Sequence, residues 1–149
     1  MKPMVDEARK AVALSYLRAV DNGGITESGG SIIDLFADDA VVHFPKWGIA
    51  RGKAEIGRML MDVTAALQAV NHHLDTVNWA FSGGDTVVCE GTSHGVHRDG
   101  AWEAGTPAWG AGHWCDVFEI RDDLIHRCFV YLDPDYAGRD TERYPWIQR

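Results

Sequence analysis

Gly112-His-Trp-Cys-Asp-Val-Phe-Glu-Ile120, the turn Arg121-Asp-Asp-Leu124, and Ile125-His-Arg-Cys-Phe-Val-Tyr-Leu132 decide the fold. Strict alternation sets Trp114, Asp116, Phe118 and Ile120 on one face of a strand. The turn returns the chain antiparallel, and Asp133-Pro134-Asp135-Tyr136 ends the hairpin with turn chemistry. Asp116 thus shares a face with large apolar side chains. An ionised carboxylate buried without a partner costs several kcal/mol, so this Asp is hydrogen-bonded, protonated with a raised pKa, or present for chemistry.

Upstream of the hairpin the period-2 signal continues through Leu74–Phe81, Thr86–Val96 and a segment near Ala101–Ala104. These are parted by Gly83-Gly84-Asp85, Arg98-Asp99-Gly100 and a Gly/Pro-rich stretch from Gly105 to Gly112. Earlier still the period is helical. Ala8, Val12, Tyr16 and Ala19 mark a helix over Val5–Val20, stopped by Asp21-Asn22-Gly23-Gly24. A short second helix is expected over Ile32–Phe36 with Ser31 as N-cap, then a short strand, Ala40–Phe44, ending at Pro45. Ile56, Met59, Leu60, Val63, Leu67 and Val70 predict a third helix over Lys53–Val70. Helices first and antiparallel strands afterwards make an α+β domain, three N-terminal helices packed on one face of a curved antiparallel sheet.

Composition narrows the function. The chain has 149 residues, 46% hydrophobic, with six Trp, four Tyr, five Phe and five Pro, which suits one folded domain (1–149) large enough for a ligand-sized cavity. A net charge of −8 argues against nucleic acid and against anionic membrane surfaces as partners. The N-terminus shows no apolar signal segment, so a cytoplasmic location is expected. Cys89, Cys115 and Cys128 fall in strands without Cys-x-x-Cys spacing, as reduced core thiols do. The seven histidines form no metal-ligand pattern and no glycine loop follows a strand into a helix, so neither a metal nor another cofactor is expected.

Tyr16, Leu35-Phe36-Ala37-Asp38-Asp39-Ala40-Val41-Val42, the Arg-Gly-Lys-Ala-Glu-Ile of 51–56, Asp116-Val-Phe-Glu-Ile120 and Tyr131-Leu-Asp133, in this order, resemble the NTF2-like superfamily of the SnoaL-like and ketosteroid-isomerase-like kind. The resemblance covers nearly the whole chain and implies a cone-shaped, cystatin-like fold holding a small organic ligand. It places Tyr16 and Asp116 on the two hydrogen-bond donors of a ketosteroid-isomerase oxyanion hole, while the general-base position falls on Phe44. A partial resemblance to scytalone dehydratase implies pocket histidines at His72 and His97, with no evident counterpart for its first-helix Asp. An epoxide-hydrolase-like arrangement would need an acid where Val130 stands, and the middle strand offers Glu90 and Thr92 rather than the Arg and Asp it would require.

His72 and His73 are adjacent, so only one can face the pocket of a strand. The candidate catalytic set is therefore Tyr16, His72 or His73, His97 and Asp116. Phe44, Trp47, Trp114, Phe118 and Val130 form the candidate substrate wall. This describes an acid–base isomerase, dehydratase or cyclase acting on a small hydrophobic carbonyl or polycyclic compound. The alternatives are an epoxide hydrolase-like enzyme, a binding protein that holds a hydrophobic ligand without catalysis, and a structural dimer. A homodimer is expected through the outer sheet face, from His113, Cys115, Val117, Arg127, Phe129 and Tyr131. The aromatic C-terminus, Arg143-Tyr144-Pro145-Trp146, is expected to cover the cone's mouth or a second subunit.

Overall fold

The computed structural model describes residues 4–104, 112–136 and 138–140; the expectations for the 105–111 stretch and for Arg143–Trp146 lie outside the described residues. Helix α1 runs Asp6–Asp21, with Asp6 and Glu7 in the first turn where the helix dipole favours negative charge. Its buried stripe is Arg9, Ala13, Tyr16, Leu17 and Ala19, turned one residue from the expected Ala8–Val12 line. Arg9 explains the rotation. Its Nε donates to the Ile120 carbonyl at 3.2 Å, and its guanidinium also reaches Asp6 and Asp85. A partnered cation can lie under a helix where a lone one could not.

The expected helix Ile32–Phe36 is instead a 3-10 turn, Ile32–Leu35, so the described residues form two α-helices and not three. Ser31 does cap it, accepting from the Ile33 N–H at 3.2 Å while Asp34 accepts from the Ser31 N–H at 2.9 Å. Phe36 already belongs to strand β1, Phe36–Phe44, whose parallel pairing with the hairpin's second strand claims the backbone bonds a helix would use. A tight turn leads to β2, Gly48–Arg51.

Helix α2 spans Gly52–Ala66 and buries Ile56, Met59, Val63 and Ala66. It stops four residues before the expected Val70, and Leu67–His72 forms strand β3. Leu67 and Val70 fit helical spacing, yet the edge of a long later strand offers this segment a hydrogen-bonded ladder, and tertiary pairing overrides a local pattern. Likewise only Asn78–Phe81 (β4) of the expected Leu74–Phe81 strand is extended; Leu74–Thr76 is a 3-10 turn.

Strand β5, Thr86–His97, is the spine. Its first half lies between β4 and β7 (His113–Arg121), and its second half between β3 and β6 (Gly100–Glu103). Strand β8, Leu124–Leu132, joins β7 to β1 and completes an eight-stranded curved sheet. Two glycines let β5 pass beneath tryptophans. A Cβ on Gly91 would meet the Trp114 ring at 2.8 Å, and one on Gly95 would meet the Ala69 carbonyl oxygen at 2.2 Å and the Trp102 ring at 2.3 Å.

The β7–β8 turn carries Asp122 at φ 54° and Asp123 at φ 60°, a pair of left-handed residues that suits hairpin twist and favours Asn-Gly. Asp123→Gly is expected to stabilise the fold by about 0.5 kcal/mol or more by removing Cβ strain. A urea midpoint at or below that of the wild type would contradict this.

Candidate functional site

The alternation read in β7 holds. Trp114, Asp116, Phe118 and Ile120 are all buried on the inner face, against α1 and the inner residues of β8. Asp116 is 3% exposed. Burial pushes its pKa up from 3.8 to about 7, with the nearby His72 pulling the other way. The three cysteines are free, and burial holds the thiols of Cys89 and Cys128 beside it above the ordinary range.

Asp116 opens onto a mostly apolar cavity of about 80 Å³. Of the expected residues, Tyr16, His72, Asp116, Phe44, Trp114 and Val130 line it together. Phe118 stands behind Tyr16, with ring centroids 5.5 Å apart. Trp47 packs edge-on against Phe44 and faces a separate polar cleft.

A bulge in β3 decides between the two adjacent histidines. The register slips between Leu67 and Ala69, so Leu67, Val70 and His72 all reach the cavity although strict alternation would pair Leu67 with Ala69 and Asn71. His73 turns outward, to Thr92 Oγ1 and His94 Nδ1, each at 2.8 Å. His97 also departs from expectation. It stacks on Tyr136 (ring centroids 5.4 Å apart) and accepts from the Asp99 N–H on the far side of that ring, in the polar cleft. Position 97 lies where the register slips, Leu67 pairing with His97 and Ala69 with Val96.

Two residues of the site were not anticipated. Asp21, at the end of α1, accepts from the His72 backbone N–H at 3.0 Å and lies 2.5 Å from His72 Nδ1. A carboxylate on Nδ1 fixes the proton there and leaves Nε2 free to take one. Asp21 is the last residue of α1. Its local sequence, Asp-Asn-Gly-Gly, is fully explained as a helix stop, so nothing in it signals a pairing across 51 residues. The second is Tyr136, buried among Trp102, His97 and the cavity, with its hydroxyl pKa pushed up by burial and by Asp116. The turn reading of its neighbourhood is also correct, since Asp133 Oδ1 accepts from the Asp135 N–H at 2.9 Å.

Tyr16 lines the cavity, but its hydroxyl hydrogen-bonds the Cys128 thiol; burial first, and its acidic neighbours next, hold its pKa well above the ordinary value. Asp116 is the one carboxylate among the described lining residues. Glu90, which stands with Thr92 where an epoxide-hydrolase arrangement would need Arg and Asp, is on the outer face accepting from Asn78 at 3.0 Å. No group of three His, Cys, Asp or Glu among the described residues converges as metal ligands, and none of the described helices is long and apolar enough to cross a membrane.

This architecture falls within a known class. The SnoaL-like domain family matches residues 13–128, and the chain belongs to it. No curated protein matches the sequence. Among solved structures, AusH from Aspergillus nidulans superposes with a TM-score of 0.69 at 14% identity, covering 95% of this chain and 97% of that one. An NTF2-like protein from Anabaena variabilis gives 0.67 at 18% identity, with 92% and 98% covered. A proposed polyketide cyclase from Xanthomonas campestris gives 0.64 at 18% identity, with 95% and 96% covered. The fold is the NTF2-like one, a mixed α+β domain with a curved sheet.

Proposed function

We propose that the protein is a cofactor-independent acid–base enzyme that moves a proton next to a carbonyl group of a small apolar substrate, as an isomerase, dehydratase or cyclase would. One observation carries this: a buried carboxyl with pKa near 7 faces the same cavity as a histidine whose other nitrogen is held by a carboxylate. Two titratable groups set to opposite tasks by their surroundings are the requirement of acid–base catalysis near neutral pH.

In this scheme neutral Asp116 donates a hydrogen bond to the carbonyl oxygen and stabilises the enolate as negative charge develops there. His72 Nε2 removes the proton from the α carbon, and Asp21 stabilises the imidazolium that results. Return of the proton to a different carbon isomerises the substrate. Attack of the enolate on a second carbonyl closes a ring, with the proton passing to the new alkoxide. Tyr136 takes the second-donor role first assigned to Tyr16, whose hydroxyl is engaged by Cys128.

Deuterium exchange into the α position of 2-tetralone in D2O, followed by NMR, tests this without knowledge of the natural substrate. Wild-type protein should accelerate exchange. His72→Ala should lose about 10²-fold or more of that acceleration, and Asp21→Asn about 10-fold to 100-fold, with little change in KM. Exchange at the wild-type rate in His72→Ala would overturn the mechanism. Binding of the ketone with no exchange in wild type would instead support the non-catalytic ligand carrier.

A further inference from the structure

The cavity at Asp116 is small for a polycyclic substrate. At about 80 Å³ it has room for several waters or a single ring, so a larger molecule must extend out of it. Two spaces adjoin it. One is the polar cleft beyond Tyr136, closed by a ring held between His97 and Trp102. The other is an apolar groove of about 540 Å³ between the loop following α1 and the face of α2, lined by Ile32, Ile33, Gly57, Leu60, Met61 and Thr64 among others. Ile32, Leu60, Thr64 and Gly24 line both this groove and the cavity, and Thr64 is exposed.

Two features of the groove lack a folding reason. Met61 is 74% exposed, a large apolar side chain on a helix face that could carry a polar one. Gly57 lies inside α2, where glycine is destabilising relative to alanine, yet a Cβ there would sit at an ordinary 3.8 Å from Ile33. Packing therefore does not require the glycine. A side chain there would narrow the groove beside the cavity.

The geometry points to a second substrate subsite: the groove binds an apolar tail, alkyl or aryl, of the molecule whose carbonyl end sits at Asp116. The substrate class is thus an elongated carbonyl compound, a compact enolisable head on a hydrophobic chain. This rests on the acid–base reading only for the placement of the head.

Quenching of tryptophan fluorescence by acetophenone and its longer homologues up to octanophenone tests the subsite. In wild type, Kd should tighten roughly threefold per added methylene once the chain passes Thr64. Gly57→Leu should abolish most of that gain while leaving acetophenone binding unchanged. Met61→Glu, at an exposed position that does not endanger folding, should weaken octanophenone about tenfold and acetophenone hardly at all. A wild-type Kd independent of chain length, or a gain intact in both variants, would overturn the subsite, as would a dimer in sedimentation that Met61→Glu dissociates. The two readings fail separately. An exchange rate indifferent to His72→Ala rejects the acid–base chemistry and leaves the chain-length series standing, whereas a flat series rejects only the groove.

Discussion

Asp116→Asn is expected to be more stable than wild type at pH 8, equal to it near pH 4, and depleted in activity by about 10²-fold or more. In the folded protein the carboxyl keeps its proton up to about pH 7, against 3.8 ordinarily. Between those values the folded state binds more protons than the unfolded one, so rising pH costs stability. The stability that the protonated group contributes is complete below about pH 4 and is lost as pH rises through 7. A difference of this size corresponds to about 4 kcal/mol at most. Asparagine has no proton to lose and nearly the shape of the neutral acid, so the variant escapes the loss. Melting curves of both proteins from pH 4 to 8 check this, and parallel curves over the whole range would refute it. Activity moves the opposite way, because the amide is a weaker donor to an enolate and cannot exchange a proton with it.

Gly95→Ala should destabilise the domain by on the order of 3 kcal/mol. The added methyl would lie 2.2 Å from the Ala69 carbonyl oxygen, a backbone atom of β3 one residue from Val70, its partner in the ladder. It would also lie 2.3 Å from Trp102, a ring 1% exposed with its N–H donating to Ser93 at 3.3 Å. Neither neighbour can yield alone. Moving β3 displaces His72 from the cavity, and moving Trp102 releases Tyr136. Gly91→Ala should cost less, since there the obstacle is only the edge of the Trp114 ring, at 2.8 Å. Urea unfolding of both variants gives the comparison, and a Gly95→Ala midpoint within error of wild type would contradict this account of the close packing at Gly95.

The parts of this architecture that were legible in the sequence are those where one periodicity had one explanation. Alternation in β7 and β8 has no helical counterpart, so the inner face and the burial of Asp116 could be read directly. Val70 shows the opposite case. It sits three residues after Leu67 and seven after Val63, which a helix explains, and the pairing that overrules it comes from β5 residues more than twenty positions away. The position of His72 then depends on a bulge, a one-residue slip that no local pattern announces. Asp21 and Tyr136 were hidden for a related reason. Each stands in a segment whose composition already has a sufficient local meaning, a helix stop and a proline turn, and their second roles arise only when α1 and the end of β8 meet at the same cavity.

The most direct test of the acid–base pair is the titration of Asp116 itself, followed by NMR of protein labelled with carbon-13 at the aspartate carboxyl, the resonance being assigned by its disappearance in Asp116→Asn. The buried carboxyl beside His72 predicts a midpoint near 7. A midpoint close to 3.8 would mean that the group is ionised and solvated throughout the physiological range, and would contradict its role as the neutral donor in the cavity.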